Sequence, residues 1–237
     1  MVEPFLRVQG VTRRFVKDSQ AIEVLRGIDL EIRRGETLAI TGASGVGKST
    51  LVHILGTLDR PTSGRVLYEG KEVFRLDERE LARFRNKAVG FVFQFHHLLP
   101  ELTALENVMM PALIQGMARD RAASMGREIL GLLGLTARVK HKPGELSGGE
   151  KQRVAIGRAL VLGPQIILAD EPTGNLDRRT GEGVEDLLLE MNRQFQATLV
   201  AVTHNVSLSC KMGRRLELVD GRIVERTLQG VGEGERR

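Results

Sequence analysis

Two stretches of this chain carry residue types suited to handling phosphate. Gly42-Ala43-Ser44-Gly45-Val46-Gly47-Lys48-Ser49-Thr50 fits the P-loop pattern G-x-x-x-x-G-K-[ST]. Its glycines let the backbone fold around an anion and turn several N–H groups inward, and a helix starting there adds its positive dipole end. Lys48 supplies a point charge for the β- and γ-phosphates, and Ser49 offers a hydroxyl to Mg²⁺. The second stretch, Ile166-Ile-Leu-Ala-Asp170-Glu171, is an apolar strand ending in two carboxylates. An acid at such a strand end suits Mg²⁺. Adjacent strand residues point to opposite sides, so Asp170 would serve the metal while Glu171 polarises an attacking water. Taken alone, this second motif is also compatible with an ordinary acidic loop after a buried strand.

Leu146-Ser147-Gly148-Gly149-Glu150 precedes an amphipathic pattern and forms a second helix start able to meet an anion. In isolation Ser147 is better read as a plain N-cap. Beside a P-loop its meaning changes. One nucleotide does not need two phosphate-binding helix starts from one chain. A head-to-tail pair would let the P-loop of one copy and the Ser-Gly-Gly of the other share each nucleotide.

The elements that must position these residues follow from periodicity. Phe5–Gln9 and Val24–Ile32 alternate apolar and polar side chains, as half-buried antiparallel strands do. Residues 37–41 form a short apolar run suited to a central strand, and a helix is expected from Lys48 to about Gly56. Strand is expected again near 65–69, a polar helix over 77–85 and an apolar strand over 89–93. The pattern is helical from Thr103 to Leu135, until His141-Lys-Pro-Gly breaks it. Beyond 148, helix and buried strand alternate (149–162, 165–169, 179–194, 198–203), which predicts a mostly parallel sheet flanked by helices. Asp220-Gly221 predicts a hairpin between strands near 215–219 and 222–226.

Together these motifs resemble the nucleotide-binding subunit of ATP-binding cassette (ABC) transporters over roughly residues 5 to 226. The P-loop, a glutamine after a strand (Gln94), the signature at 146–150, the metal strand, Gly174-Asn-Leu-Asp177 and His204 after Leu199-Val-Ala-Val-Thr occur in the family's order. The resemblance implies an α/β fold: a P-loop ABC ATPase core with a mostly parallel sheet, an N-terminal antiparallel β subdomain and a helical, signature-bearing subdomain at about 95–162. It implies a single domain over 1–230, with a disordered tail at 231–237. ATP and Mg²⁺ are the implied cofactors. Gln94 would contact the metal and the attacking water, Asp177 would cross a dimer interface, His204 would meet the γ-phosphate and Phe15 would stack on adenine. Glu150 replaces the commoner glutamine, Phe15 the usual tyrosine and Asn205 a frequent aspartate. None of these departures removes a catalytic group, so an active ATPase is expected.

A narrower likeness covers Phe95-His-His-Leu-Leu-Pro-Glu-Leu-Thr-Ala-Leu-Glu-Asn-Val-Met-Met-Pro111, which looks like the same stretch in the ATPase subunits of lipoprotein-releasing ABC transporters. That implies a homodimer docked through residues around 94–111 on two integral membrane subunits. It would sit at the cytoplasmic face of a bacterial inner membrane and drive lipoprotein release indirectly. Macrolide or peptide exporters and a cell-division signalling ATPase are the alternatives in this group. From the residues alone, His96 and His97 lack a third metal ligand at suitable spacing. Met109 and Met110 read as packing or adaptable docking residues, and His53 reads as a packing residue.

Composition limits the other classes. The 237 residues are 41% hydrophobic and 27% charged, with a net charge of +5 spread along the chain, as expected of a globular protein. No basic cluster, stacking array or long coiled-coil insertion points to nucleic acid. A single cysteine, Cys210, excludes an internal disulfide or a Cys-based zinc site and is expected to be a small, semi-buried residue. No secretory signal or run of about 18 apolar residues is evident, which predicts a cytoplasmic location.

Overall fold

A computed structural model describes residues 3–17 and 20–225. The tail expected at 231–237, and position 226 of the last expected strand, lie outside the described residues. Ten strands and seven α-helices follow one another along these residues. They are β1 (Leu6–Lys17), β2 (Gln20–Ile32), β3 (Thr37–Thr41), α1 (Lys48–Leu55), β4 (Ser63–Tyr68), β5 (Lys71–Glu72), α2 (Glu78–Ala88) and β6 (Val89–Phe93). After these come α3 (Ala104–Ile114), α4 (Arg119–Leu132), α5 (Gly148–Leu160), β7 (Ile166–Asp170), α6 (Arg178–Phe195), β8 (Thr198–Val202), α7 (Val206–Lys211), β9 (Arg214–Val219) and β10 (Arg222–Val224).

The strands form two sheets. One is antiparallel, in the order β2-β1-β4-β5; the other runs β10-β9-β3-β8-β7-β6 and is parallel except for the β9–β10 hairpin. Asp220 and Gly221 both have positive φ (46° and 75°), the type I′ geometry that the Asp-Gly pair favours.

Strict alternation on the central strands builds the core. Leu38 and Ile40 of β3, Ile166 and Leu168 of β7, and Val200 and Val202 of β8 face one cluster. Their neighbours Ala39, Ile167, Ala169, Leu199 and Ala201 face the other. The first cluster holds Leu51, Val52, Ile54 and Leu55, all fully buried, so α1 lies between the two sheets. The second holds Val154, Val184, Leu188 and Leu208 from α5, α6 and α7. Burial of both faces explains why these strands read as continuous apolar runs. Tyr68, the only tyrosine, is structural. Its hydroxyl donates to Leu55 O at the end of α1 (2.7 Å), and burial pushes its pKa far up.

Three details depart from expectation. The helical run from Thr103 to Leu135 is two helices, parted at Gly116, whose φ is 82°. A six-residue helix, α7, fills the stretch after His204, too short for periodicity to reveal. Cys210 is exposed rather than semi-buried, on the outer side of that helix and 3.2 Å from Arg215 Nη1.

The close approach of α1 to β6 gives a stability prediction. A Cβ on Gly56 would lie 2.0 Å from Phe91 Cζ and 2.9 Å from Leu168 Cδ1. Gly56→Ala should lower unfolding free energy by about 1–3 kcal/mol through overpacking, and Phe91→Leu should recover part of it. Denaturant titration of the single and double variants measures both. Equal stability of Gly56→Ala and the parent would refute the tight contact.

Candidate active site

Residues 42–47 turn the chain from β3 into α1. Gly47 occupies the N-cap position at φ 108°, and a Cβ there would fall 2.7 Å from Val24 Cγ1. Conformation and packing both require glycine. No side chain caps α1, so its first N–H groups remain available to an anion. Lys48 is 8% exposed, and its ammonium donates to Gly42 O (2.9 Å) and Ala43 O (3.0 Å). Ser44, Gly45, Gly47, Lys48, Ser49 and Thr50 line a cleft of about 480 Å³ with Val24, Gln94, Glu171 and His204. Val46 instead packs toward the core between the sheets.

The far wall of the cleft comes from β7 and β8. Ser49 Oγ donates to Asp170 Oδ1 at 3.0 Å. Burial raises the Asp170 pKa, opposed by the Ser49 hydrogen bond and by His53 and Lys48. Glu171 continues the ladder, its N–H donating to Val202 O (2.9 Å), and then turns with φ 46°. That left-handed conformation costs a non-glycine residue about 1–2 kcal/mol, a strain typical of functional positions. The turn holds its carboxylate against three donors: Thr203 Oγ1 at 3.1 Å, His204 N at 3.1 and 3.2 Å, and His204 Nδ1 at 2.9 Å. Thr203 escaped the sequence reading. The only available signal was a hydroxyl at a fully buried strand end.

Gln94, just past β6, pairs reciprocally with Asn175. Its Nε2 donates to Asn175 Oδ1 (2.9 Å), and Asn175 Nδ2 donates to Gln94 O (3.1 Å). A Cβ on Gly174 would lie 2.9 Å from Gln94 Nε2, so the two segments touch. Asp177 caps α6, accepting from Thr180 N at 3.1 Å. Further along, Arg158 of α5 donates to His97 O (2.5 Å) and His96 O (2.8 Å), while Gln152 Nε2 donates to Phe93 O (3.3 Å). One helix thus grips both ends of the segment that carries Gln94. No residue pattern marks this clamp, because its acceptors are backbone carbonyls. His53 packs edge-on to Phe93, as a packing residue should.

Ser147 caps α5. Its Oγ accepts from Glu150 N (3.3 Å), and Glu150 Oε2 accepts from Ser147 N (2.8 Å). Cβ atoms on Gly148 and Gly149 would fall 3.2 Å from Leu176 Cδ2 and 2.5 Å from Thr180 Cγ2, so this helix start abuts the turn holding Asp177. Neither Ser147, Gly148 nor Gly149 lines the P-loop cleft. Phe15 stands apart as well, 40% exposed on β1 with the Arg13 guanidinium 4.5 Å from its ring centroid.

Glu150 has a second task that a glutamine could not perform fully. Its Oε1 accepts from Arg138 Nε at 2.7 Å, and Arg138 with the Ser147 N–H holds its pKa at about 2. The pKa is depressed on folding, so the stabilisation is complete above the unfolded value of about 4.3 and is lost as pH falls toward about 2. Glu150→Gln keeps the capping box and should cost about 0.2–1 kcal/mol at neutral pH. The melting curves of parent and variant should converge in acid. A difference that persists undiminished at the lowest pH would refute the ion-pair account.

Comparison with known proteins agrees with this geometry. The ABC transporter family model matches residues 25–174. The lipoprotein-releasing system ATP-binding protein LolD of Geobacter metallireducens is 59% identical over 219 residues, covering 92% of this chain and 97% of that protein. LolD of Syntrophus aciditrophicus is 58% identical, covering 92% and 98%, and LolD of Bacteroides fragilis is 49% identical, covering 92% and 100%. Among solved structures, the dimeric post-hydrolysis state of the ATP-binding cassette MJ0796 bound to ADP and Pi superposes with a TM-score of 0.86 at 40% identity, covering 95% of this chain and 99% of that one. The P-loop cleft, the paired acids and the separate signature helix are therefore those of a nucleotide-hydrolysing cassette, and this chain belongs to the ABC transporter family as one of its ATP-binding subunits.

Proposed function

We propose that this chain hydrolyses ATP to drive a lipoprotein-releasing transporter, working as a homodimer docked on two integral membrane subunits. The observation that carries the ATPase reading is the meeting of Lys48, Ser49, Glu171 and His204 at one cleft, with Asp170 hydrogen-bonded to Ser49 behind it. The likeness to LolD proteins over nearly the whole chain supports the transport system. The domain reading follows: one ATPase domain over 1–230, with the helical subdomain at about 95–162.

The chemistry starts from positioning. The glycine-rich turn, the free end of α1 and Lys48 would hold the phosphates of ATP. Ser49 and Asp170, hard oxygen donors already within 3.0 Å of each other, suit Mg²⁺, and the Gln94 amide could complete such a site. The bound ion would neutralise phosphate charge. Glu171 is the base that would orient and deprotonate the attacking water. His204 holds the Glu171 carboxylate and would meet the γ-phosphate. Phosphoryl transfer needs little else than this alignment and charge stabilisation.

The distance of Ser147–Gly149 from the chain's own cleft supports a head-to-tail dimer in which each signature completes the partner's site. The solved relative is itself dimeric. In that arrangement Asp177, beside the signature helix start, would lie at the interface, and Phe15 would offer its ring to adenine.

The docking reading rests on an apolar groove of about 400 Å³, whose lining includes Leu58, Phe91, Phe93, Pro111, Ile114 and Leu162. Ile114 of that lining is 68% exposed, and Phe95, in the segment expected to dock, is 66% exposed. No helix among the described residues is long and apolar enough to cross a membrane. Docking on the membrane subunits of a lipoprotein-releasing system would hold the chain at the cytoplasmic face of the bacterial inner membrane.

Two experiments test this reading. Glu171→Gln should cut hydrolysis by roughly a hundredfold or more and trap an ATP-bound dimer. Captured from native membranes with ATP, that variant should bring down a pair of lipoprotein-releasing membrane subunits. Recovery of an exporter or division-type membrane protein would overturn the assigned cargo, and rapid turnover without dimerisation would sink the role of Glu171. The dimer geometry is tested by placing Lys48→Ala and Ser147→Arg in mixed dimers. On opposite chains the two changes should spoil the same ATP site and leave the other active. On one chain they should spoil both sites. The reverse pattern would exclude the head-to-tail pair.

A further inference from the structure

Glu185 lies in the interior of α6 with its side chain fully buried. A buried carboxylate is costly unless several donors meet it. Here its donors all come from the short stretch that follows His204. Asn205 Nδ2 donates to Oε1 at 2.6 Å, and Ser207 Oγ and Lys211 Nζ donate to Oε2 at 3.1 and 3.0 Å. An internal charge on one helix thus pins the beginning and the end of α7.

The same network reaches the reacting groups. Asn205 caps α7, its Oδ1 accepting from Ser207 N at 2.8 Å. The Asn205 N–H donates to Thr203 Oγ1 (3.0 Å), and that hydroxyl donates to Glu171 Oε2 (3.1 Å). His204, whose N–H and Nδ1 both meet the Glu171 carboxylate, sits between these two anchored residues. An unbroken path therefore runs Glu185–Asn205–Thr203–Glu171.

We propose that Glu185 is a positioning residue for ATP hydrolysis. Paired with Asn205, it fixes the turn that aims His204 and Thr203 at the Glu171 carboxylate. The inference rests on the role of Glu171 given above. It also explains why position 205 is asparagine here. An aspartate would set a second carboxylate 2.6 Å from Glu185 Oε1, where the amide now supplies the donor. Like charges at that distance repel strongly when buried. Position 185 therefore dictates which residue position 205 accepts, and the two form a charge-matched pair.

The test is a charge swap in the full chain, with hydrolysis counted per nucleotide-binding site so that unfolded protein does not enter. Asn205→Asp should lower kcat by roughly tenfold or more while KM for ATP stays within about twofold. Adding Glu185→Gln, which restores one amide and one carboxylate, should recover most of that kcat. Thr203→Val breaks the path without touching the buried charge, and it should give the same split between kcat and KM. A double variant no better than Asn205→Asp would overturn the pairing. An unchanged kcat in Thr203→Val would overturn the path to Glu171, even if the charge-swap variants failed to fold. Wild-type protein that bound ATP but did not hydrolyse it would instead count against the ATPase reading itself.

Discussion

The register of three parallel strands is the constraint on which the site depends. Ile40 of β3 pairs with Val202 of β8, and Val202 pairs with Asp170 of β7. The three strands therefore end at one level on the same edge of the sheet. Just beyond that level come the P-loop, the Asp170–Glu171 pair and Thr203–His204. Two backbone bonds lock the ends together: Thr203 N–H to Ile40 O at 3.1 Å and Glu171 N–H to Val202 O at 2.9 Å. Because side chains alternate with a period of two, a slip of one residue in any strand would turn its core set to the wrong face. The apolar layers on both sides of the sheet thus enforce the alignment of the catalytic groups.

A second tier of contacts surrounds that edge, and it differs in kind. The P-loop is held by covalent continuity with β3 and by α1, wedged between two sheets. Gln94 is held instead by side chains from elsewhere in the chain: Asn175 bonds it directly, and Gln152 and Arg158 of α5 bond the backbone on either side of it. Arg158 has no carboxylate partner among the described residues. Its charge is met by two backbone carbonyls, and burial lowers its pKa. The signature serine begins the helix that carries this clamp. The same helix contributes Arg158 and Ala159 to the apolar groove. The Ser147 cap, the clamp on the Gln94 segment and part of the groove wall thus belong to one helix.

What was legible in the sequence was local. The P-loop, the paired acids, Ser147 with its glycines and the parallel β/α alternation each announce themselves within a few residues, because turn geometry, capping and strand periodicity act over that range. The resemblance to a family extended this reading to Gln94, Asp177 and His204. What stayed hidden joins residues far apart in the chain. Gln94 and Asn175 lie 81 positions apart and Glu185 and Asn205 lie 20 apart. Glu185 falls on the buried stripe of α6 with Gly181, Leu188 and Leu189, but an acid in an amphipathic helix ordinarily faces water, so its residue type concealed its place. Cys210 shows the opposite error. Its usual burial is a tendency of the residue type, and here it fell on the solvent side of a helix whose buried positions are Leu208 and Ser209.

The state of Glu171 shows how these layers act together. A base for water activation must be charged, correctly aimed and open on one side. A carboxylate free in solution fails the second requirement, and one buried in apolar surroundings fails the first. Here Glu171 takes a positive φ, and three donors from residues 203 and 204 hold both carboxylate oxygens while the side chain keeps 14% of its exposure. All of those donors sit in a turn, the least rigid kind of element. The turn is kept in place by β3 before it and by the buried Glu185 charge behind it. The energetic cost of burying that charge is offset by donors in and just before α7, and the path from it reaches Glu171 through Asn205 and Thr203. The precision of the site thus comes from an interior carboxylate as much as from the motif that first identified the chemistry.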